Sequence, residues 1–212
     1  MTLADARLYL VCGATIAGHR TDDLVPELAG AGVDVLQLRE KEMDDGRMLQ
    51  AAQGLALSCR SAGVPFFVND RPDVAHLAGA TGVHLGQEDL PVTAARQVAP
   101  AGLVGWSTHS REQIDIALGW EDRPDYIAVG PVFETPTKPG RPATGPELLT
   151  YAAEVIPAGV PWFAIGGIDR SNLADVIDAG ARRVVVVRAI VDAPDPAGAA
   201  AALRATLDSV PV

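Results

Sequence analysis

The chain has 212 residues, with 17 Lys plus Arg against 27 Asp plus Glu, and its formal net charge is −10 with histidine neutral. This balance argues against a nucleic-acid-binding or membrane-surface protein, because both need clustered positive charge. Apolar residues make up 48% of the chain, enough for a hydrophobic core, and one domain is the default at this length. We therefore expect a single domain over residues 1–212 that binds neither nucleic acid nor a membrane.

Two features bear on the cellular compartment. No apolar run approaches the roughly 20 residues of a membrane-spanning helix, and no basic segment followed by an apolar core opens the chain. The two cysteines, Cys12 and Cys59, have neither metal-ligand spacing nor a disulfide framework around them. A cytoplasmic protein with two reduced cysteines is expected.

Short segments rich in β-branched and aromatic residues recur along the chain. Most are continuous apolar runs rather than strict alternations, which is typical of parallel strands covered on both faces. The eight predicted strands span residues 8–11, 33–38, 65–68, 82–85, 103–106, 126–129, 161–165 and 183–187.

Helical patterns lie between these strands, as in Ile114, Ala117 and Leu118, which follow the i, i+3, i+4 spacing of one helix face. Eight alternating βα units predict a parallel sheet with right-handed crossovers, closed into a (β/α)8 barrel. An open doubly wound sheet is the alternative, but residues 11–15 lack its glycine-rich fingerprint. Left-handed helix ends are predicted at Gly32, Gly63, Gly82, Gly102, Gly159 and Gly180.

Polar residues cluster directly after the predicted strands. The loops after the strands of such a barrel build the active site, so these residues should converge on one face. The segments concerned are residues 37–41, 69–70, 86–89, 107–109, 135–138 and 166–167.

Lysine is rare in this chain. Of the 17 basic residues only Lys41 and Lys138 are lysines, and both follow predicted strands. This pattern suggests that a compact, mobile ammonium group is needed at these two positions. The alternative is that both residues are solvated surface lysines. Together with Arg39 they would place three positive charges at one end of the barrel, which favours binding of a phosphate or diphosphate.

Asp70 and Asp89 follow neighbouring predicted strands, which lie ~5 Å apart in a parallel barrel. Two carboxylates beside three cations suggest a bound ion, and Mg²⁺ is usually held by one or two carboxylates, waters and substrate phosphates. The structural alternative is that Asp70 and Asp89 cap the helices that follow them.

A second anion site is predicted where barrels commonly bind phosphate through backbone N–H groups. Gly166 and Gly167 follow the seventh predicted strand, and the turn at Val187 and Arg188 follows the eighth. Among the histidines, only His109 is a candidate for the site, whereas His84 is expected to pack or to form hydrogen bonds.

Seven stretches of the chain are informative when they are taken together and in order: LQLREK at 36–41, VND at 68–70, GVHLGQEDLP at 82–91, GWSTHS at 105–110, GPVFETPTK at 130–138, AIGGI at 164–168 and VVVRAI at 185–190. With them, the chain resembles the thiamine phosphate synthase family over essentially its whole length. The family is a (β/α)8 barrel whose members condense hydroxymethylpyrimidine diphosphate with thiazole phosphate and release pyrophosphate.

The resemblance also implies roles for individual residues. For the pyrimidine diphosphate it implies contacts from Gln37, Leu38, Arg39, Glu40, Lys41, Asn69, Ser107 or its neighbour Thr108, and Lys138. For the thiazole phosphate it implies Thr135, Pro136, Thr137, Gly167, Val187 and Arg188. Asp70 and Asp89 would hold one Mg²⁺, and the catalytic groups would be Arg39, Lys41, Lys138 and Ser107.

The family often has serine where this chain has Arg188, so phosphate contact there is expected to involve the side chain in part. The alternatives to a synthase are an isomerase and a binding protein without catalytic activity. A thiazole tautomerase uses the same barrel but lacks the diphosphate and metal residues, and a non-catalytic sensor would bind phosphate ligands without releasing pyrophosphate. The amino-acid sequence does not determine the oligomeric state, and a homodimer is one alternative.

Overall fold

Eight parallel strands close into a barrel in the computed structural model, which describes residues 3–135 and 142–211. The strands are β1 (Leu8–Cys12), β2 (Thr15–Ile16), β3 (His19–Arg20), β4 (Val35–Leu38), β5 (Phe66–Asn69), β6 (Gly82–Leu85), β7 (Leu103–Thr108), β8 (Tyr126–Val129), β9 (Trp162–Ile165) and β10 (Val184–Val186). The strand order around the barrel is β1, β4, β5, β6, β7, β8, β9, β10, and β10 pairs with β1 to close it. The strands β2 and β3 form a separate small antiparallel hairpin.

Helices follow the barrel strands and cover its outer surface. They are α1 (Thr21–Gly30), α2 (Asp45–Ala62), α3 (Pro72–Ala78), α4 (Val92–Val98), α5 (Arg111–Gly119), α6 (Pro146–Val155), α7 (Leu173–Asp178), α8 (Arg188–Val191) and α9 (Pro196–Asp208). None of the helices in residues 3–135 and 142–211 is long and apolar enough to cross a membrane. The predicted (β/α)8 barrel is confirmed.

The predicted strands all appear; those at 82–85 and 126–129 have the predicted bounds, and the other six have shifted ends. β7 extends to Thr108, and β4 begins at Val35 rather than Val33. Val33 lies outside the strand because its N–H donates to the Leu28 carbonyl, which completes the C-terminal turn of α1.

The prediction that six glycines end helices in the left-handed conformation is confirmed for three of them and wrong for the other three. Gly32, Gly63 and Gly180 are left-handed, with φ of +95°, +71° and +100°. Gly102 and Gly159 are not, and Gly82 lies inside β6, where a side chain would collide with the Leu103 carbonyl of the next strand. Close strand packing, not helix termination, accounts for the glycine at that position.

Two apolar layers stabilise the barrel. The inner one contains the rings of Tyr9, Phe67, Tyr126 and Phe163, and the Tyr9 and Phe163 ring centroids are 5.4 Å apart. The outer layer lies between the strands and the helices. Side chains alternate between the two layers along each strand. The inward residue two positions after each inner ring therefore lies nearer the C-terminal end of the barrel.

Gly105 makes room for the inner layer. It pairs in register with Tyr126, and a Cβ at Gly105 would collide with the Tyr126 ring. Gly105→Ala is therefore expected to lower the free energy of unfolding by about 1–3 kcal/mol, measured by urea denaturation. Gly119→Ala is the matched control, because a Cβ at Gly119 meets open space. Equal stability of the two variants would contradict this account of Gly105.

Candidate active site

A cavity of about 320 Å³ opens at the C-terminal end of the barrel. Its wall is formed by inward residues at the strand ends and by the loops that follow them. The predicted site residues that line it are Gln37, Arg39, Asn69, Ser107, Thr135, Gly167, Val187 and Arg188.

Gln37, Asn69 and Ser107 occupy the inward positions at the ends of three barrel strands, β4, β5 and β7. All three are buried. The Gln37 Nε2 donates to the Tyr9 hydroxyl at 2.8 Å, and Gln87 Nε2 donates to the Ser107 carbonyl at 2.6 Å. The Gln37 amide is therefore held by a side chain of the barrel interior, and the backbone at Ser107 is held by a residue of the loop after β6.

Arg39 follows Gln37 at the next inward position. Its backbone N–H donates to the Cys12 carbonyl at 2.8 Å, which continues the pairing of β1 and β4 past the strand end. The half-buried side chain lines the cavity. A guanidinium in this position can bind a phosphate group through two parallel hydrogen bonds.

Leu38 and Thr108 do not line the cavity, contrary to the prediction. Strand alternation turns both side chains away from it: Leu38 packs in the outer apolar layer, and Thr108 Oγ1 donates to the Ala128 carbonyl at 3.1 Å. Of the two candidates for the pyrimidine contact, Ser107 is therefore the one that faces the cavity.

Glu40 and Lys41 are also absent from the residues lining the cavity. The Glu40 Oε1 accepts a hydrogen bond from the Ala14 N–H at 2.6 Å, so this carboxylate ties the loop after β4 to the loop after β1. Lys41 is exposed on the same loop. Pro136, Thr137 and Lys138 lie outside the described residues.

Asp70 and Asp89 follow the adjacent strands β5 and β6. The Asp70 N–H donates to the His84 carbonyl at 2.8 Å, and its φ of +64° lies in the left-handed region, which aspartate tolerates. Asp89 Oδ2 accepts from the Gly86 N–H at 2.6 Å. Neither aspartate is the N-cap residue of a helix: that position is occupied by Arg71 in α3 and by Pro91 in α4.

The capping alternative for these two aspartates is therefore wrong. Within residues 3–135 and 142–211, no group of three or more His, Cys, Asp or Glu side chains could hold a metal ion. Two carboxylates without imidazole or thiolate suit Mg²⁺, which prefers hard oxygen ligands and keeps several waters.

The turn after β9 has the backbone shape of an anion site. Gly166 and Gly167 have φ of +107° and +65°, and a side chain on Gly166 would collide with Pro131. The Asn172 Nδ2 donates to the Gly167 carbonyl at 2.8 Å, which holds the turn in place. Arg188, at the start of α8, lines the same cavity.

Several lining residues were not predicted as part of the site or were only considered for it, and among them Tyr9, His84, His109 and Tyr126 carry a phenol or imidazole group. His84 forms hydrogen bonds, as expected, through both ring nitrogens. His109 Nδ1 contacts the Gly130 carbonyl. Burial raises the pKa of both Tyr9 and Tyr126 well above the usual value, so both hydroxyls stay protonated. No local sequence signal separates His84 and Tyr126 from their outward neighbours, because β6 and β8 are buried on both faces.

The model of the thiamine monophosphate synthase family matches residues 8–190 of the chain. The chain belongs to this family. It is 56% identical over 208 residues to a thiamine-phosphate synthase of Thermus thermophilus, with 96% of this chain and 98% of the relative covered. It is 49% identical over 207 residues to one of Acidothermus cellulolyticus, with 97% of each chain covered.

The fold of a family member agrees with that of this chain. A solved thiamine phosphate pyrophosphorylase of Pyrococcus furiosus superposes with a TM-score of 0.86 at 29% identity, covering 98% of each chain. The names of these relatives favour the synthase over the thiazole tautomerase and the non-catalytic sensor. The predicted family is thus confirmed, and the relatives named here are synthases, which are transferases.

Proposed function

We propose that this chain is a thiamine phosphate synthase, which joins hydroxymethylpyrimidine diphosphate to thiazole phosphate and releases pyrophosphate. One observation carries the proposal. A single cavity of about 320 Å³ is lined both by Arg39, with the amides of Gln37 and Asn69, and by the Gly166–Gly167 turn with Arg188. Two anionic substrates can therefore be held next to each other in one site.

The reaction needs charge neutralisation more than it needs a nucleophile from the protein. The C–O bond between the pyrimidine methylene and the diphosphate breaks, and its electron pair leaves with the diphosphate. The thiazole nitrogen then uses its lone pair to form the C–N bond to the pyrimidine cation. Arg39, Lys41 and Lys138 are the proposed cations that offset the charge growing on the leaving group.

Asp70 and Asp89 are the proposed ligands of one Mg²⁺. Their hard oxygen donors, on loops after adjacent strands, fit an ion that takes its remaining ligands from water and from the substrate diphosphate. When bound, the ion supplies additional positive charge to the leaving diphosphate.

Thr135, Gly167, Val187 and Arg188, together with Pro136 and Thr137, are the proposed thiazole phosphate site. The first four line the cavity beside the left-handed turn, where backbone N–H groups can bind phosphate oxygens. Ser107 is the proposed contact for the pyrimidine ring.

The function is tested by following pyrophosphate and thiamine phosphate together, with purified protein, both substrates and Mg²⁺. Equal amounts of the two products, abolished by a chelator and restored by excess Mg²⁺, are expected. Substrate binding without either product would contradict the synthase and favour a sensor. Thiazole isomerisation without pyrophosphate would favour the tautomerase.

Arg188→Ser is expected to raise the KM for thiazole phosphate about tenfold, because one charge-assisted hydrogen bond to the phosphate is lost. The KM for the pyrimidine diphosphate should stay the same. Arg170→Ser is the matched control, since Arg170 is exposed and does not line the cavity. An unchanged KM in Arg188→Ser would mean that the backbone alone recognises the phosphate.

The cytoplasm is the proposed compartment. Cys12 and Cys59 are both buried free thiols, as expected for a protein in a reducing environment. A homodimer stays a prediction, and light scattering of the purified protein measures it directly.

A further inference from the structure

A chain of buried hydrogen bonds lies beneath the cavity. Gln37 Nε2 donates to the Tyr9 hydroxyl at 2.8 Å, and the Tyr9 and Tyr126 hydroxyl oxygens are 2.8 Å apart. The Tyr126 hydroxyl lies 2.9 Å from His84 Nδ1, and His84 Nε2 lies 2.9 Å from Ser107 Oγ. All five residues are buried although they line the cavity, so their hydrogen bonds lie in an environment of low dielectric constant, where such bonds are strong.

The direction of this chain follows from its Gln37 end. The Tyr9 hydroxyl accepts from Gln37, and within the described residues its own hydrogen has one acceptor, the Tyr126 oxygen. Tyr126 must then donate to His84 Nδ1, because a buried hydroxyl hydrogen without an acceptor is costly. A neutral His84 that accepts at Nδ1 carries its hydrogen on Nε2 and donates it to Ser107 Oγ.

The direction decides what Ser107 can offer a ligand. With one Oγ lone pair occupied by His84 Nε2–H, Ser107 keeps its own hydrogen for a group in the cavity. In the opposite tautomer, Ser107 would donate that hydrogen to His84 and could only accept from the ligand. An aminopyrimidine has a ring nitrogen that accepts a hydrogen bond, beside the amino group that donates.

We propose that Gln37, Tyr9, Tyr126 and His84 form a positioning relay that holds His84 as its Nε2–H tautomer and so makes Ser107 a hydrogen-bond donor to the pyrimidine ring. The last step, towards the pyrimidine, rests on the proposed function. The tautomer itself is a property of the free protein. Tyr9, Tyr126 and His84 are positioning residues, since they act through Ser107.

The tautomer is measured by ¹⁵N NMR of the imidazole nitrogens in the protein without substrate, with His84 assigned by the signals missing in His84→Gln. The relay predicts a protonated Nε2 and an unprotonated Nδ1 in the wild-type protein. A protonated Nδ1 and an unprotonated Nε2 there would overturn the proposal.

Gln37→Glu is the decisive variant when it is measured at a pH where the introduced carboxyl group is ionised, because a carboxylate at this position accepts from Tyr9 instead of donating to it. The chain then reverses: Tyr126 donates to Tyr9, His84 Nδ1–H donates to Tyr126, and Ser107 donates to His84. Transfer of the His84 hydrogen from Nε2 to Nδ1 is expected, and an unchanged tautomer would contradict the relay.

Tyr126→Phe keeps the ring but removes the donor to His84 Nδ1, so a mixture of tautomers is expected. Phe163→Leu is the matched control: its ring centroid lies 5.6 Å from that of Tyr126, but it has no polar atom in the chain. This control should retain the wild-type tautomer. Loss of the tautomer in Phe163→Leu as well would mean that packing, not the relay, determines it.

Steady-state kinetics test the link to the substrate. Tyr126→Phe is expected to raise the KM for the pyrimidine diphosphate about fivefold, the effect of one weakened neutral hydrogen bond, and to leave the KM for thiazole phosphate unchanged. Equal effects on both substrates would contradict a role through Ser107. If the wild-type protein made no product, the proposed function would fail, while the tautomer measurement would still decide the relay.

Discussion

Asp70→Asn is expected to lower kcat about a hundredfold, because the leaving diphosphate loses much of the positive charge held beside it. Asparagine is the informative replacement: it has nearly the same shape and tolerates the left-handed conformation at this position, where φ is +64°. Steady-state rates measured over a range of Mg²⁺ concentrations should show a higher Mg²⁺ requirement, with partial recovery at high concentration.

Asp73→Asn is the matched control for this experiment. The Asp73 carboxylate lies three residues further along the chain and pairs with Arg71, with 2.7 Å between Oδ2 and Nη2. Its replacement should leave both kcat and the Mg²⁺ requirement near the wild-type values. If Asp70→Asn behaved in the same way, Asp70 would be removed from the metal site.

Arg39→Ala is expected to lower kcat/KM for the pyrimidine diphosphate about a hundredfold, since a half-buried guanidinium that can bind the diphosphate at two points is lost. Arg39→Lys should recover only part of this loss, because an ammonium keeps the charge but not the planar pair of donors. The thiazole phosphate KM, measured at saturating pyrimidine diphosphate, should change little.

Arg47→Ala is the control for Arg39, because Arg47 is an exposed cation of α2 that pairs with Asp44 at 3.4 Å. It has the same formal charge but no access to the cavity. A similar loss in both variants would indicate a general effect of net charge on substrate attraction. Recovery of full activity by Arg39→Lys would show that charge alone is needed at this position.

The barrel was predictable because its signals are local. Each strand is a continuous apolar run, and each connection is long enough for a helix, so the number and order of βα units followed directly. The direction in which each side chain points was harder to predict from the sequence. When both faces of a strand are covered, Leu38 and Gln37 both read as buried, and alternation alone cannot say which one faces inward.

The same reason explains why two of the predicted site residues do not line the cavity. Arg39, Asn69 and Ser107 were predicted and line the cavity, whereas Leu38 and Thr108, their neighbours in the chain, point outward. Glu40 was expected to bind substrate, but its carboxylate contacts the Ala14 N–H in another loop. Such a contact depends on how two loops meet, which no local pattern records.

The amino-acid sequence by itself determined the barrel and the family, because residue types and their spacing along the chain carry that information. Only the tertiary structure decided which polar residues face the cavity and how its floor is hydrogen-bonded. Tyr9 and Tyr126 are 117 residues apart in the chain, yet their hydroxyls are 2.8 Å apart. Barrel closure brings them together, because their inward positions, unremarkable in each strand alone, meet at the same level of the core.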